Sequence, residues 1–139
     1  MLGKHLIKGY SSTQANVALS SGEAEYYGLV KGASVALGIK SMLEDFGIKV
    51  RIRLSTDASA AKGIASRRGL GKVRHIEVNQ LWLQDKVADG IIEIRKVNGK
   101  ENLADALTKH VNAEDIRVHM HCTHQEFERQ RHELAPAHN

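Results

Sequence analysis

Three acidic residues of this 139-residue chain stand where an alternating strand–helix protein places chemistry: Glu25, Asp57 and Asp105. Asp57 follows the alternating run Val50–Thr56 and so lies at the C-terminal end of a strand, the end at which open α/β sheets bind ligands. Glu25 falls in the first turns of a long helical segment, and Asp105 opens the helix expected after the last strand. Carboxylates converging from separate elements are how a protein holds a hard divalent cation such as Mg²⁺. Two such ions ~3.5–4 Å apart activate a water and stabilise the leaving oxygen of a phosphodiester. Each acid also has an ordinary structural role open to it. Glu25 can complement the positive end of a helix dipole, Asp57 can cap a helix beginning at Ala58, and Asp105 with Asn102 fits a capping arrangement.

The elements that must position these residues follow from hydrophobic period. His5–Ser11 reads as a short strand. Ser20 or Ser21 caps a long helix whose stripe is Tyr26, Leu29, Val30, Ala33, Leu37, Met42 and Leu43, with Gly47 as its terminator. Val50, Ile52 and Leu54 alternate with Arg51 and Arg53, the pattern of a half-buried strand. A short helix is expected around Ala58–Ala65, then a basic loop over Ser66–Arg74, then a helix from Ile76 to Ala88 ended by Gly90. Ile91, Ile92, Ile94 and Val97 form a further strand, Asn98-Gly99 a turn, and Asn102 starts a helix through Leu103 and Leu107. Trp82, beside Val78 and Leu81, reads as core.

Composition places the chain among ordinary globular domains. Hydrophobic residues make up 42% and charged residues 26%, with one proline, which excludes collagen-like, low-complexity and wholly disordered classes. The net charge of +4 suits a polyanionic partner without singling one out. A single cysteine, Cys122, leaves no internal disulfide framework, and no apolar run approaches the ~20 residues of a membrane span. The expectation is a protein inside the cell, with residues 1–110 as one domain and 111–139 as a polar, histidine-rich, partly helical tail. His119, His121, Cys122 and His124 have ligand chemistry, but their helical spacing splits them into two pairs pointing apart, which does not converge on one tetrahedral zinc.

Four blocks of sequence, in this order and spacing, carry a resemblance. They are VALSSGEAEYYGL (Val17–Leu29), LSTDASAAKGIA (Leu54–Ala65), VRHIEVNQLWLQDKVADG (Val73–Gly90) and NLADALTK (Asn102–Lys109). Together they resemble the ribonuclease H domain of copia-type retrotransposon Pol polyproteins, over about residues 5–109. The resemblance implies an α/β, ribonuclease H-like fold with a mixed sheet and flanking helices. It also implies cleavage of the RNA strand of RNA/DNA hybrids by two Mg²⁺ ions, leaving a 5′-phosphate and a 3′-hydroxyl. It assigns metal binding to Glu25 of EAEY, Asp57 of STDAS and Asp105 of LADAL, leaving Glu23 as a surface residue. His75 of RHIE either assists or contacts the backbone, or is an ordinary histidine at a helix start.

A fourth carboxylate, an aspartate on the first strand, belongs to the family pattern. No acidic residue precedes Val17, and the chain begins at what reads as the third strand. The expectation is therefore a domain lacking its first two strands, weak or inactive as a nuclease by itself. The open edge of the Val50–Thr56 strand could pair with another chain, a second copy included. Arg67, Arg68, Lys72 and Arg74, beside Gly69 and Gly71, are expected either to grip a hybrid's phosphates or simply to face water. The implied partners are an RNA/DNA hybrid or other nucleic acid and the reverse transcriptase and integrase portions of the same polyprotein. The competing readings are a non-catalytic nucleic-acid-binding remnant and an edge-strand interaction module.

Overall fold

The structure, a computed structural model, describes residues 1–14, 17–71, 76–107 and 110–126. These group into two compact units, Ser12–Asn102 and a second made of Met1–Ser11 with the residues from Leu103 onward.

The larger unit opens with α1, Ser21–Asp45. Ser20 caps it, its hydroxyl accepting from the Glu23 amide at 3.2 Å. Its other end closes at Gly47, whose φ of +76° suits a residue without a Cβ. There the Gly47 amide donates to the Glu44 carbonyl at 2.8 Å and the Ile48 amide to the Leu43 carbonyl at 2.9 Å, a Schellman closure. The buried face of α1 is confined to its first half, at Tyr26, Tyr27, Leu29, Val30 and Ala33. Met42, assigned to the stripe by periodicity, is 51% exposed, because the helix runs on past the elements it packs against.

Strands β1 (Ile52–Thr56) and β2 (Ile92–Lys96) pair in parallel, Ile52 opposite Ile92 and Thr56 opposite Lys96. Parallel neighbours require a crossover, here supplied by α2 (Ser59–Ala65) and α3 (Trp82–Ala88). Ile52, Ile92 and Ile94 turn inward with Ala61, Ile64, Ala65, Ile76 and Leu83 to join the α1 residues in one core. Each large apolar side chain buried this way contributes ~1.5–3 kcal/mol. Arg53 and Glu93, opposite one another and exposed, form an ion pair at 3.0 Å. At that exposure the pair is worth ~0–1 kcal/mol.

Three expectations are corrected. His5–Ser11 is not a strand; the segment holds only an isolated antiparallel bridge between Leu2 and His5. Among the described residues the sheet has two strands, and a short run with no ladder to join gains nothing from extension. The helix expected over Ile76–Ala88 is instead a 3₁₀ turn, Val78–Gln80, followed by α3, with Leu81 between them. Leu103–Leu107 is 3₁₀ rather than α-helical.

In the smaller unit, α4 (Ala113–Cys122) starts at Asn112, whose side chain accepts from the Asp115 amide at 2.8 Å. It ends with His124 at φ +54°, where the Gln125 amide donates back to the Met120 carbonyl at 2.8 Å. The His5 and His124 rings lie 5.3 Å apart, centroid to centroid. Among the described residues no helix is long and apolar enough to cross a membrane.

Candidate functional site: carboxylates and basic loop

Asp57 follows the last residue of β1 directly and is partly exposed. It does not cap α2. That helix starts at Ala58 without a side-chain cap, and the Ala58 amide donates to the buried Thr56 hydroxyl at 3.1 Å. The Asp57 carboxylate instead borders the turn after β2: a Cβ on Gly99 would stand 3.5 Å from its Oδ2. Parallel pairing makes that neighbourhood, because it carries both strands to the same end of the sheet. The Val97 amide donates to the Thr56 carbonyl at 2.9 Å and extends the ladder to Asp57's threshold.

Glu25 is exposed on α1, past the first turn. The glutamate that serves the helix start is Glu23, expected at the surface and found 1% exposed. One of its carboxylate oxygens accepts from the Tyr27 hydroxyl at 2.7 Å and the other from the Leu19 amide at 3.0 Å. Ser20 and Glu23 together form a capping box whose return bond reaches one residue further upstream than usual. The S-x-x-E spacing was legible; that Tyr27 would seal the box was not, because it requires the Tyr27 ring to be packed down beside it. Burial first, then the hydrogen bond to Glu23, pushes the Tyr27 hydroxyl up to about 12. Burial likewise takes Tyr26 to about 12, against the opposing pull of the Arg67 charge.

Asp105 lies in the 3₁₀ segment of the smaller unit, while Glu25 and Asp57 belong to the larger. Among the described residues, no group of three or more His, Cys, Asp and Glu side chains stands close enough to hold a metal ion. His119, His121 and Cys122 lie on α4, and His124 one residue past its cap, Thr123. His75, Lys72 and Arg74 fall outside the described residues.

Of the loop cations that are described, Arg68 is exposed and Arg67 is not presented to solvent in the same way. The Arg67 guanidinium donates to the Leu70 carbonyl of its own loop. A Cβ on Gly71, at φ +59°, would stand 2.8 Å from its Cζ, so glycine makes room for the arginine. Gln84 of α3, which the sequence reading passed over, is 3% exposed and holds the loop from beneath. Trp82, expected in the core, is half-buried; it packs against the core edge and shares with Tyr27, Val30 and Gln80 the wall of an open cavity of about 420 Å³.

With this geometry in hand, comparison with known proteins gives a consistent set of relatives. The chain is similar to the retrovirus-related Pol polyprotein from transposon TNT 1-94 of Nicotiana tabacum, 29% identical over 105 residues, which is 74% of this chain. It is similar also to the retrovirus-related Pol polyproteins from transposons RE1 and RE2 of Arabidopsis thaliana, each 29% identical over 111 residues and 78% of the chain. In each case the chain spans only 8% of the relative's length. No family model matches. No solved structure matches either. The homologues are thus transposon Pol polyproteins, and the chain is mixed α/β with a two-stranded parallel sheet.

Proposed function

We propose that these residues form part of a ribonuclease H-like domain of a retroelement Pol polyprotein, contacting an RNA/DNA hybrid through the basic loop and not cutting it by themselves. The observation that carries the reading is the similarity to Pol polyproteins across three quarters of the chain. The β1–α2–α3–β2 unit supports it, since Asp57 stands at the strand end where such sheets bind ligands. The motif blocks around Glu25, Asp57 and Asp105 supply the family's carboxylate pattern. Mg²⁺ would bring hydrolytic chemistry to a completed carboxylate set, and no cleavage step is assigned to this chain. What remains to it is binding: a polyanion held by exposed cations, independent of base sequence and weakened by salt.

Two incubations test this. The 139-residue chain is expected to retard an end-labelled RNA/DNA hybrid while leaving the RNA uncut in Mg²⁺. Exchanged for the matching segment of the tobacco transposon polyprotein, it is expected to support RNA-strand cutting that Asp57→Asn removes. Robust cutting by the chain alone, or an inert chimera beside an active parent, overturns the proposal.

A further inference from the structure

The basic loop is held by one buried amide. Gln84 donates from Nε2 to the Ile64 carbonyl at 2.9 Å and to the Gly69 carbonyl at 3.0 Å, and its Oε1 accepts from the Gly69 amide at 2.7 Å. Both backbone groups of Gly69 and the last turn of α2 therefore close around a single side chain. Gly69 has φ +76°, a conformation that other residues rarely adopt. The 3₁₀ turn just ahead of α3 is itself pinned to α1, through the Tyr26 hydroxyl donating to the Gln80 carbonyl at 2.8 Å. Arg67 props the same loop from inside by its bond to the Leu70 carbonyl, and Arg68 is left pointing its charge at solvent.

We propose that Gln84 is a positioning residue: it fixes the limb from Ile64 to Gly69 so that Arg68, rather than Arg67, is presented to the phosphate backbone of a nucleic-acid strand. This rests on the reading of the loop as a phosphate contact. A cation on a limb already ordered loses less conformational freedom on binding than one on a loose loop, so preorganisation appears as affinity. Glutamine suits the task because its amide both donates and accepts, and so can satisfy the Gly69 carbonyl and amide at once. A neutral clamp also adds no charge of its own beside Arg68.

The test is fluorescence anisotropy of a labelled RNA/DNA hybrid with the full chain over a range of salt concentrations. Arg68→Ala is expected to weaken binding about 3- to 10-fold and to lower the salt slope by about 0.7–0.9. Gln84→Met, of similar volume but without the amide, is expected to reproduce most of both changes. The double variant is expected to bind no worse than Arg68→Ala, because the clamp acts through that arginine. Additive losses, or a Gln84→Met chain that binds like wild type, overturn the proposal while sparing the reading of the loop. Absence of hybrid binding by the wild-type chain overturns both. If Gln84→Met does not fold, the unmodified chain decides: a slowly exchanging Gly69 amide supports the clamp, and exchange at the rate of an open loop refutes it.

Discussion

Glu23 and Glu25 are two residues apart on one helix, and the structure gives them opposite energetic weights. Replacing Glu23 by alanine removes the acceptor of the Leu19 amide and of the buried Tyr27 hydroxyl, at 3.0 and 2.7 Å. Hydrogen bonds to a carboxylate contribute ~1.5–3 kcal/mol each, and a donor left unsatisfied in the core carries its own desolvation penalty of ~1–3 kcal/mol. The helix propensity of alanine returns only a few tenths, ~0.4 kcal/mol at most. Leu19 is exposed and its amide can turn to water, so the Tyr27 bond and its buried hydroxyl dominate, and the expected net loss for Glu23→Ala is about 3 kcal/mol. Glu25 is exposed, so Glu25→Ala should fall within ~0.5 kcal/mol of wild type. Urea unfolding followed by far-ultraviolet circular dichroism reads both, since α1 with its 25 residues is the longest helix described. Tyr27→Phe completes a double-mutant cycle, in which the Glu23→Ala/Tyr27→Phe pair should lose about 1 kcal/mol less than the sum of the singles. A Glu23→Ala chain as stable as wild type, or a Glu25→Ala chain as damaged as Glu23→Ala, would refute the assignment of structural and surface roles.

Two further outcomes follow from the same packing. A Cβ on Gly22 would stand 2.8 Å from the Ala60 Cβ, so Gly22→Ala should overpack the α1–α2 contact by ~1–3 kcal/mol and lower the melting temperature. Adding Ala60→Gly should restore most of it, and a Gly22→Ala chain that melts higher than wild type would show that the helices are not in contact there. The Tyr26 and Tyr27 hydroxyls, pushed up to about 12 chiefly by burial, set a limit at high pH. A raised value means the fold favours the neutral phenol, so this contribution is whole below the unfolded-state value of ~10 and is lost as pH climbs through 12. The urea midpoint should fall across that window, less steeply in Tyr27→Phe, and complete tyrosinate absorbance by pH 10 in the folded chain would contradict the burial.

Legibility followed the range of the interaction. The Ser20 cap, the Gly47 terminator and the alternation of Ile52 and Leu54 with Arg51 and Arg53 were all readable, because each is settled within a few residues. His5–Ser11 was misread because a short apolar-bearing run does not make a strand; a ladder partner does. The break at Leu81 was missed because the apolar spacing across Val78–Ala88 suits one helix as well as a 3₁₀ turn followed by another. The candidate site divides likewise. Asp57 could be placed at a strand end from pattern, whereas its neighbour Gly99 is 42 positions away along the chain and arrives only through parallel pairing.

By itself the sequence determined the order of α1, β1, α2 and β2, the positions of α1's ends, the cations of a glycine-bearing loop and the likeness to transposon Pol polyproteins. Tertiary structure alone decided which of two glutamates two residues apart went inside, which of two consecutive arginines turned back into its own loop, and that Gln84 would clamp that loop. The physical reason is common to all three. Neighbours of the same residue type have the same intrinsic chemistry, and only the distant groups brought against them by packing, such as the Tyr27 ring, the Gly71 backbone and the Gly69 amide, give them different partners and different free energies.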